Sequence, residues 1–362
     1  MELCSVQKLS QSSNFRPTPQ NHTVHSICDY PANTMKIMIR FITITLLVVI
    51  LILLWYFIDK KIFPIISVQV PILSQVSENY ANATAIDIRR IPIGDGRISQ
   101  KPKVGYVWSC RTHLGGDGIG GAHASGDWIH DDGTYDFTAK PTVDGRVVWP
   151  SQFKIKLNNK VRTISGNRLP KDPTGKFPIS EDDDAYAYDR NPNNITADNY
   201  QFNLPATPQV ATEPSCVPLG EIGVMLNGGY FFNALDAKGK DAVAHEIQDL
   251  CQGHPEVTGA YHYHSISTCL ETSDHGQGHS ALLGYGLDGF GIYGHRGENG
   301  KMLTNADLDE CHGHTHEIEW DGRKVELYHY HGTWEYPYTV GCYRGKSVKP
   351  PMKPRVRPFE QS

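Results

Sequence analysis

A strong net charge and long basic runs are both missing from this chain: 34 Lys and Arg stand against 39 Asp and Glu, a formal charge of −5. The electrostatic footprint of a phosphate-backbone binder is therefore absent, and no nucleic-acid partner is expected. Long apolar runs are nearly missing too. The one exception, FITITLLVVILILLWYFI at 41–58, reaches the threshold length for a spanning helix and carries no charge. Lys36 and Arg40 precede it, and Asp59, Lys60 and Lys61 follow. No small-x-small cleavage site follows Trp55, Tyr56 and Phe57, and aromatics at that end suit a membrane interface. Residues 36–61 therefore read as a transmembrane signal anchor, the membrane being one expected partner. Residues 1–35, rich in Ser, Gln, Asn and Pro, lack the apolar content to bury a core and read as disordered.

Helical periodicity is scarce beyond the anchor. The chain has 34 Gly and 23 Pro, and these with Asn and Asp interrupt most apolar runs within a few residues. Short helices are expected only near 241–251 and 305–310. Alternation at Val104, Tyr106, Trp108, at Val147 and Trp149, and at Phe153, Ile155, Leu157 is the signature of half-buried strands. The expected fold is mainly β (α+β): a disulfide-stabilised, β-rich extracytoplasmic domain with few short helices, preceded by one transmembrane helix. Residues 62–95 read as a stalk, 96–345 as the globular domain and 346–362 as a Pro-rich basic tail. Of 8 cysteines, Cys4 and Cys28 precede the span, while Cys110, Cys216, Cys251, Cys269, Cys311 and Cys342 follow it. An even set after the span predicts disulfides and an oxidising compartment, hence a single-pass membrane protein with its domain outside the cytoplasm. The sequons at Asn82 and Asn194 permit the same side.

Histidine is abundant. Of 17 histidines only His22 and His25 precede Cys110, and histidine is the commonest metal ligand. Asp249-Leu-Cys251-Gln-Gly253-His254 is followed by Tyr261-His262-Tyr263-His264 and then Cys269. The pattern recurs as Asp309-Glu-Cys311-His-Gly313-His314, Tyr328-His329-Tyr330-His331 and Cys342. Two copies of one unit are implied, each closed by its own disulfide, which would leave Cys110 to pair with Cys216; other connectivities stay open. Tyrosine favours strands, and alternate residues of a strand share a face, so His262 and His264 point one way and the tyrosines the other. Their Cα atoms lie about 7 Å apart, close enough for both rings to reach one ion at about 2.0 Å. If the two Y-H-Y-H strands pair or face each other, four imidazoles meet. The expected ligands are His262, His264, His329 and His331, with His245, His254, His312, His314 and His316 in reserve, and an all-imidazole set leans toward copper or zinc. The plain alternative is histidines that hydrogen-bond to loops above a tyrosine core.

Other patterns are incomplete. His245-Glu246-Ile-Gln-Asp249 begins like a zinc-hydrolase H-E-x-x-H but has Asp249 in the place of the second His. Gly116-Asp-Gly118-Ile-Gly-Gly121 matches a dinucleotide fingerprint without a βαβ unit. Gly278-His-Ser280-Ala-Leu282 lacks the last glycine of a nucleophile elbow. The acidic run 181–184 lacks EF-hand spacing. Asp288, the one charge in the glycine-alternating stretch 284–294, reads as a turn residue that could also serve as a ligand or acid.

With these residues in view the chain resembles the YHYH domain family. The similarity extends to SGDWI (125–129), FNALDA (232–237), HEIQDLCQGHP (245–255), LGYGLDGFGIYG (283–294), TNADLDECHGHTH (304–316) and YPYTVGCYRG (336–345). The resemblance covers about residues 100–345 and implies an exported protein. Three functional classes follow. The first is an extracytoplasmic metal-binding protein that stores, senses or delivers copper or zinc. The second is a metal-dependent enzyme in which Glu246, Asp288 or Glu310 assists a bound water. The third is a surface adhesion or glycan-binding module, which requires scattered histidines and solvent-open aromatics.

Overall fold

Short apolar stretches cut by Gly, Pro and Asx residues fold into short strands. A computed structural model describes residues 86–111, 123–271 and 278–349, all within one compact unit. The expected anchor and N-terminal segment lie outside the described residues, as does the tail from 350 on. No helix among the described residues is long and apolar enough to cross a membrane.

The first strands are β1 (Ile91–Pro92), β2 (Ile98–Ser99), β3 (Val107–Trp108), β4 (Thr134–Tyr135), β5 (Phe153–Asn158), β6 (Val161–Gly166), β7 (Tyr200–Pro205) and β8 (Val210–Ser215). Then come β9 (Glu221–Met225), β10 (Tyr230–Phe232), β11 (Gly253–Pro255), β12 (Tyr261–Tyr263), β13 (Leu282–Gly286), β14 (Gly291–Tyr293), β15 (Gly313–Trp320), β16 (Arg323–His331) and β17 (Tyr343–Gly345). An 8-stranded sheet in the order β11-β12-β10-β9-β13-β14-β16-β15 forms the frame, with β5-β6-β7 a separate antiparallel sheet. The expected β-rich class is what forms, and the disulfides join Cys110 to Cys216, Cys251 to Cys269 and Cys311 to Cys342.

The large sheet is internally duplicated. At its centre β9 and β13 pair antiparallel, with Val224 opposite Tyr285 and Gly223 and Met225 opposite Gly286 and Gly284. Leu226 N donates to the Leu283 carbonyl at 2.8 Å and Leu287 N to that of Ile222 at 2.9 Å, a reciprocal pair. Outward from this centre each half repeats the same steps. β9 is antiparallel to β10 and β13 to β14. β10 is parallel to β12 and β14 to β16, and the outer strands β11 and β15 are antiparallel to their neighbours.

Two expectations need correction. The helix expected over 241–251 is a single turn, α1 (Ala242–His245), capped by the Asp241 carboxylate. Its continuation is prevented because tertiary partners take the carbonyls a longer helix would use. Lys140 Nζ donates to the carbonyls of Val243 and Glu246 at 2.6 and 2.8 Å, and Val143 N to that of Gln248 at 3.0 Å. Near 305–310 only a 3-10 turn forms, Asn305–Asp307, closed by a Thr304/Asp307 capping box. A second short helix, α2 (Thr268–Glu271), follows the first motif. The second correction concerns 86–95, assigned above to a stalk. Ile91 is fully buried in the core, β1 pairs with β4, and Gly94 N donates to Asp241.

Candidate metal centres

Each copy of D-x-C-x-G-H folds into the same turn. Asp249 Oδ1 accepts from Cys251 N at 2.9 Å and Gly253 N at 3.3 Å, and Tyr261 donates its hydroxyl to the same oxygen at 2.9 Å. In the second copy Asp309 Oδ1 accepts from Cys311 N at 2.9 Å, Gly313 N at 3.1 Å and Tyr328 OH at 2.9 Å. The glycine is required because a Cβ at Gly253 or Gly313 would run into the ring of Tyr261 or Tyr328. The turn sets the register. Gly253 lies opposite Tyr263 and His254 opposite His262, as Gly313 lies opposite Tyr330 and His314 opposite His329. Each repeat therefore places one turn histidine and both motif histidines on one face. The tyrosines fill the other face: Tyr261, Tyr263 and Tyr330 are fully buried. The open aromatics and scattered histidines that an adhesion module requires at this motif are both absent.

Among the described residues, eight histidines collect into two separate groups, not one. His254, His262 and His264 form the first; His279, His314, His316, His329 and His331 form the second; within each, the ligating atoms lie within 4.8 Å of one another. The expected meeting of His262, His264, His329 and His331 at one point does not occur. Four strands lie between β12 and β16, which at about 4.8 Å per strand separates the motifs by roughly 24 Å.

In the first group His262 Nε2 and His264 Nε2 stand 3.1 Å apart. Glu246 Oε2 lies 3.1 Å from His264 Nε2 and 3.3 Å from His254 Nε2. Phe232 stacks on His262 at 3.9 Å. In the second group His279 Nε2 and His329 Nε2 are 3.3 Å apart with their rings tilted, and His316 meets His329 edge-on. Around an ion bound at about 2.0–2.1 Å, tetrahedral donors stand about 3.3 Å apart, the spacing seen in both groups.

The ring orientation is fixed by backbone carbonyls. His262 Nδ1 meets the Ala260 carbonyl at 3.1 Å and His264 Nδ1 that of Asn233 at 2.5 Å. In the second group His329 Nδ1 meets Leu327 O at 2.9 Å, His331 Nδ1 Gly294 O at 2.7 Å, His279 Nδ1 Ser280 O at 2.8 Å and His316 Nδ1 Glu317 O at 3.0 Å. A carbonyl only accepts, so each Nδ1 carries a proton, and in His262, His329 and His331, whose burial holds them well below the ordinary imidazole range, the neutral ring turns a bare lone pair on Nε2 toward its neighbours. Bare lone pairs packed this closely repel unless a cation sits among them. The Nε2 atoms of His314, His316 and His331 are buried without a hydrogen-bond partner.

The electrostatics of the two groups differ. Burial, then the neighbouring His314 and His316 charges, push His329 down to about 2 despite its carbonyl bond, and burial with the His316 and His279 charges pushes His314 to about 4. Burial and the His329 charge likewise hold His331 well below the ordinary imidazole range. These rings are neutral, as ligands must be. Burial would raise Glu246, yet the charges of His254 and His264 outweigh it and hold the carboxyl well below its usual range. Burial would lower His254, and the Glu246 carboxylate reverses the direction. The first group thus holds a buried carboxylate among its rings, whereas the carboxylate nearest the second, Glu298, is exposed and lies 3.8 Å from His316 Nδ1.

Several expected site residues lie elsewhere. His245 ends α1 with Nδ1 at the Ala124 carbonyl, 3.1 Å, and Nε2 3.3 Å from Asp95. His312 bonds Thr333 Oγ1 at 3.0 Å, as Gln252, at the same place in the first repeat, bonds Thr268 Oγ1 at 2.8 Å; both hold a positive φ, so this is a turn position. Asp288 accepts from Tyr330 OH at 2.6 Å and Gly345 N at 2.9 Å on the tyrosine face, mirroring Asn227, which donates to Tyr263 OH at 2.7 Å. It reaches neither histidine group, and Glu310 belongs to neither. His279 was not foreseen as a ligand. It precedes β13 at the place Pro218 holds before β9, so no repeat marked it, and only its approach to His329 reveals it.

The fold and these groups define a class: a disulfide-bonded, internally duplicated β-sheet domain with two histidine clusters of metal-ligand geometry. Residues 201–302 match the family model described as YHYH protein, so the chain carries a YHYH domain. The matched segment runs from β7 to a few residues past β14 and ends before the second repeat's turn and its Y-H-Y-H. No curated protein and no solved structure matches the chain.

Proposed function

We propose that this protein is a transition-metal-binding protein whose domain holds an ion at each histidine group. The observation that supports it best is the second group, in which carbonyl-anchored imidazoles turn their Nε2 lone pairs on a common point. That arrangement is the usual way proteins fix the tautomer of a ligating histidine, and it has little use without a cation. An all-nitrogen set suits copper(II), with zinc(II) next. The three cysteine pairs favour an oxidising compartment, and together with the apolar run 41–58 they support a membrane-anchored protein displaying this domain outside the cytoplasm, where it would store, sense or deliver metal.

Elemental analysis of the tag-free protein tests the reading. Two ions per chain are expected, with His262→Ala/His264→Ala removing one and His329→Ala/His331→Ala the other. A folded wild type that stays metal-free after incubation with copper(II) and zinc(II) refutes it.

A further inference from the structure

The two groups descend from the same repeat yet do not offer the same donors. Their shared part is three imidazoles, His254, His262 and His264 matching His314, His329 and His331. The second repeat adds two more, His279 and His316. The first repeat has Pro218 and Glu256 at those places, and Glu256 turns aside to accept from Thr258 N at 2.9 Å. Its addition comes from another element. Glu246 is the first residue past α1, held in extended backbone at φ −100 and ψ 140 while Lys140 binds its carbonyl at 2.8 Å. That conformation carries its carboxylate under the sheet to the two imidazoles. Glu246 is 7% exposed, and Oε2 is buried with no well-aligned hydrogen bond to either ring. His254 likewise leaves both ring nitrogens without a hydrogen-bond partner. Oε2 stands 3.1 Å from His264 Nε2 and 3.3 Å from His254 Nε2, the spacing of donors that share one tetrahedral ion.

We propose that Glu246 completes the first group as an oxygen donor, making a three-imidazole, one-carboxylate site for a harder divalent ion of the zinc, iron or manganese type, distinct from the copper-type five-imidazole site. This rests on the reading of both groups as metal sites. The carboxylate contributes a negative charge and an oxygen, which favour harder ions relative to an all-nitrogen set. Copper(II) binds tightly to almost any such donors, so the distinction lies in the ratio of zinc to copper affinity.

The test uses zinc(II) and copper(II) as probes on the full chain. In wild type the first site should show the higher zinc-to-copper affinity ratio, each site being identified by the double-histidine variants above. Glu246→Gln should lower zinc affinity at the first site at least about tenfold, leave the five-imidazole site within about twofold, and be partly rescued by Glu246→Asp, which keeps the oxygen donor. Should Glu246→Gln be misfolded by circular dichroism, Glu246→Asp and the wild-type ratio decide alone. Unchanged zinc affinity in folded Glu246→Gln, or equal ratios at the two sites, overturns the proposal while leaving two metal sites standing. A wild type that binds one ion, lost in His329→Ala/His331→Ala, overturns it and spares the five-imidazole site. A wild type that binds none overturns both readings.

Discussion

Asp249 carries the architecture of the first motif on one carboxylate. It receives Tyr261 OH, Cys251 N, Gly253 N and Gly175 N, the last at 2.8 Å. Burial still prevails over those donors and raises the group from 3.8 to about 6. The folded chain thus keeps this proton between about pH 4 and 6 while the unfolded chain has lost it. The group's contribution to stability is full below about pH 4 and is lost as pH rises through about 6. Asp249→Asn cannot titrate, so its stability should fall less between pH 4 and 6 than that of wild type, by up to about 3 kcal/mol. Urea denaturation across that range checks this, and parallel curves would refute it. Tyr261→Phe leaves Asp249 one donor short and should cost about 1–3 kcal/mol, with Tyr328→Phe costing a similar amount through Asp309.

A strand pair is the working unit one level up. The outer strand supplies the turn histidine, the inner strand the Y-H-Y-H pair, and the glycine between them lets the first tyrosine lie flat across the turn. Gly253→Ala should displace Tyr261 and cost about 1–3 kcal/mol by overpacking. Metal analysis of that variant should show the first ion lost or weakened and the second retained; Gly313→Ala should do the reverse. This unit was legible in the sequence because its parts are local: Y-H-Y-H alternates at the strand period, and D-x-C-x-G-H is a contiguous turn. The helix over 241–251 was not, since the carbonyls that end α1 are claimed by Lys140 and Val143, about 100 residues earlier in the chain.

At the scale of the molecule, the twofold repetition about Val224 and Tyr285 sends the two motifs to opposite ends of one sheet. Groups that far apart with no shared partner should act additively. Removing one group's histidines should leave the other's affinity within about twofold, measured by metal titration. Ions that bind only the folded chain also stabilise it, so at free metal 100 times Kd each site should contribute about 2.7 kcal/mol, and a chelator should lower Tm accordingly. Strong coupling between the sites, or a Tm indifferent to chelation, would contradict the arrangement.

The sequence alone determined what depends on neighbours in the chain: the β-rich class, from alternation broken by glycine and proline; the duplicated unit, from its repeated spacing; and the facing of His262 with His264 and of His329 with His331, from the geometry of a strand; it suggested the cysteine pairs, which the structure decided. The tertiary structure decided which strands lie side by side. Order β12-β10-β9-β13-β14-β16 holds the two motifs apart, where four converging imidazoles were expected. It also brings Glu246 to one group and His279 to the other, although neither residue lies in the repeated D-x-C-x-G-H and Y-H-Y-H motifs. Pairing between distant strands is set by how the whole sheet buries its tyrosine face, and no local pattern encodes that choice.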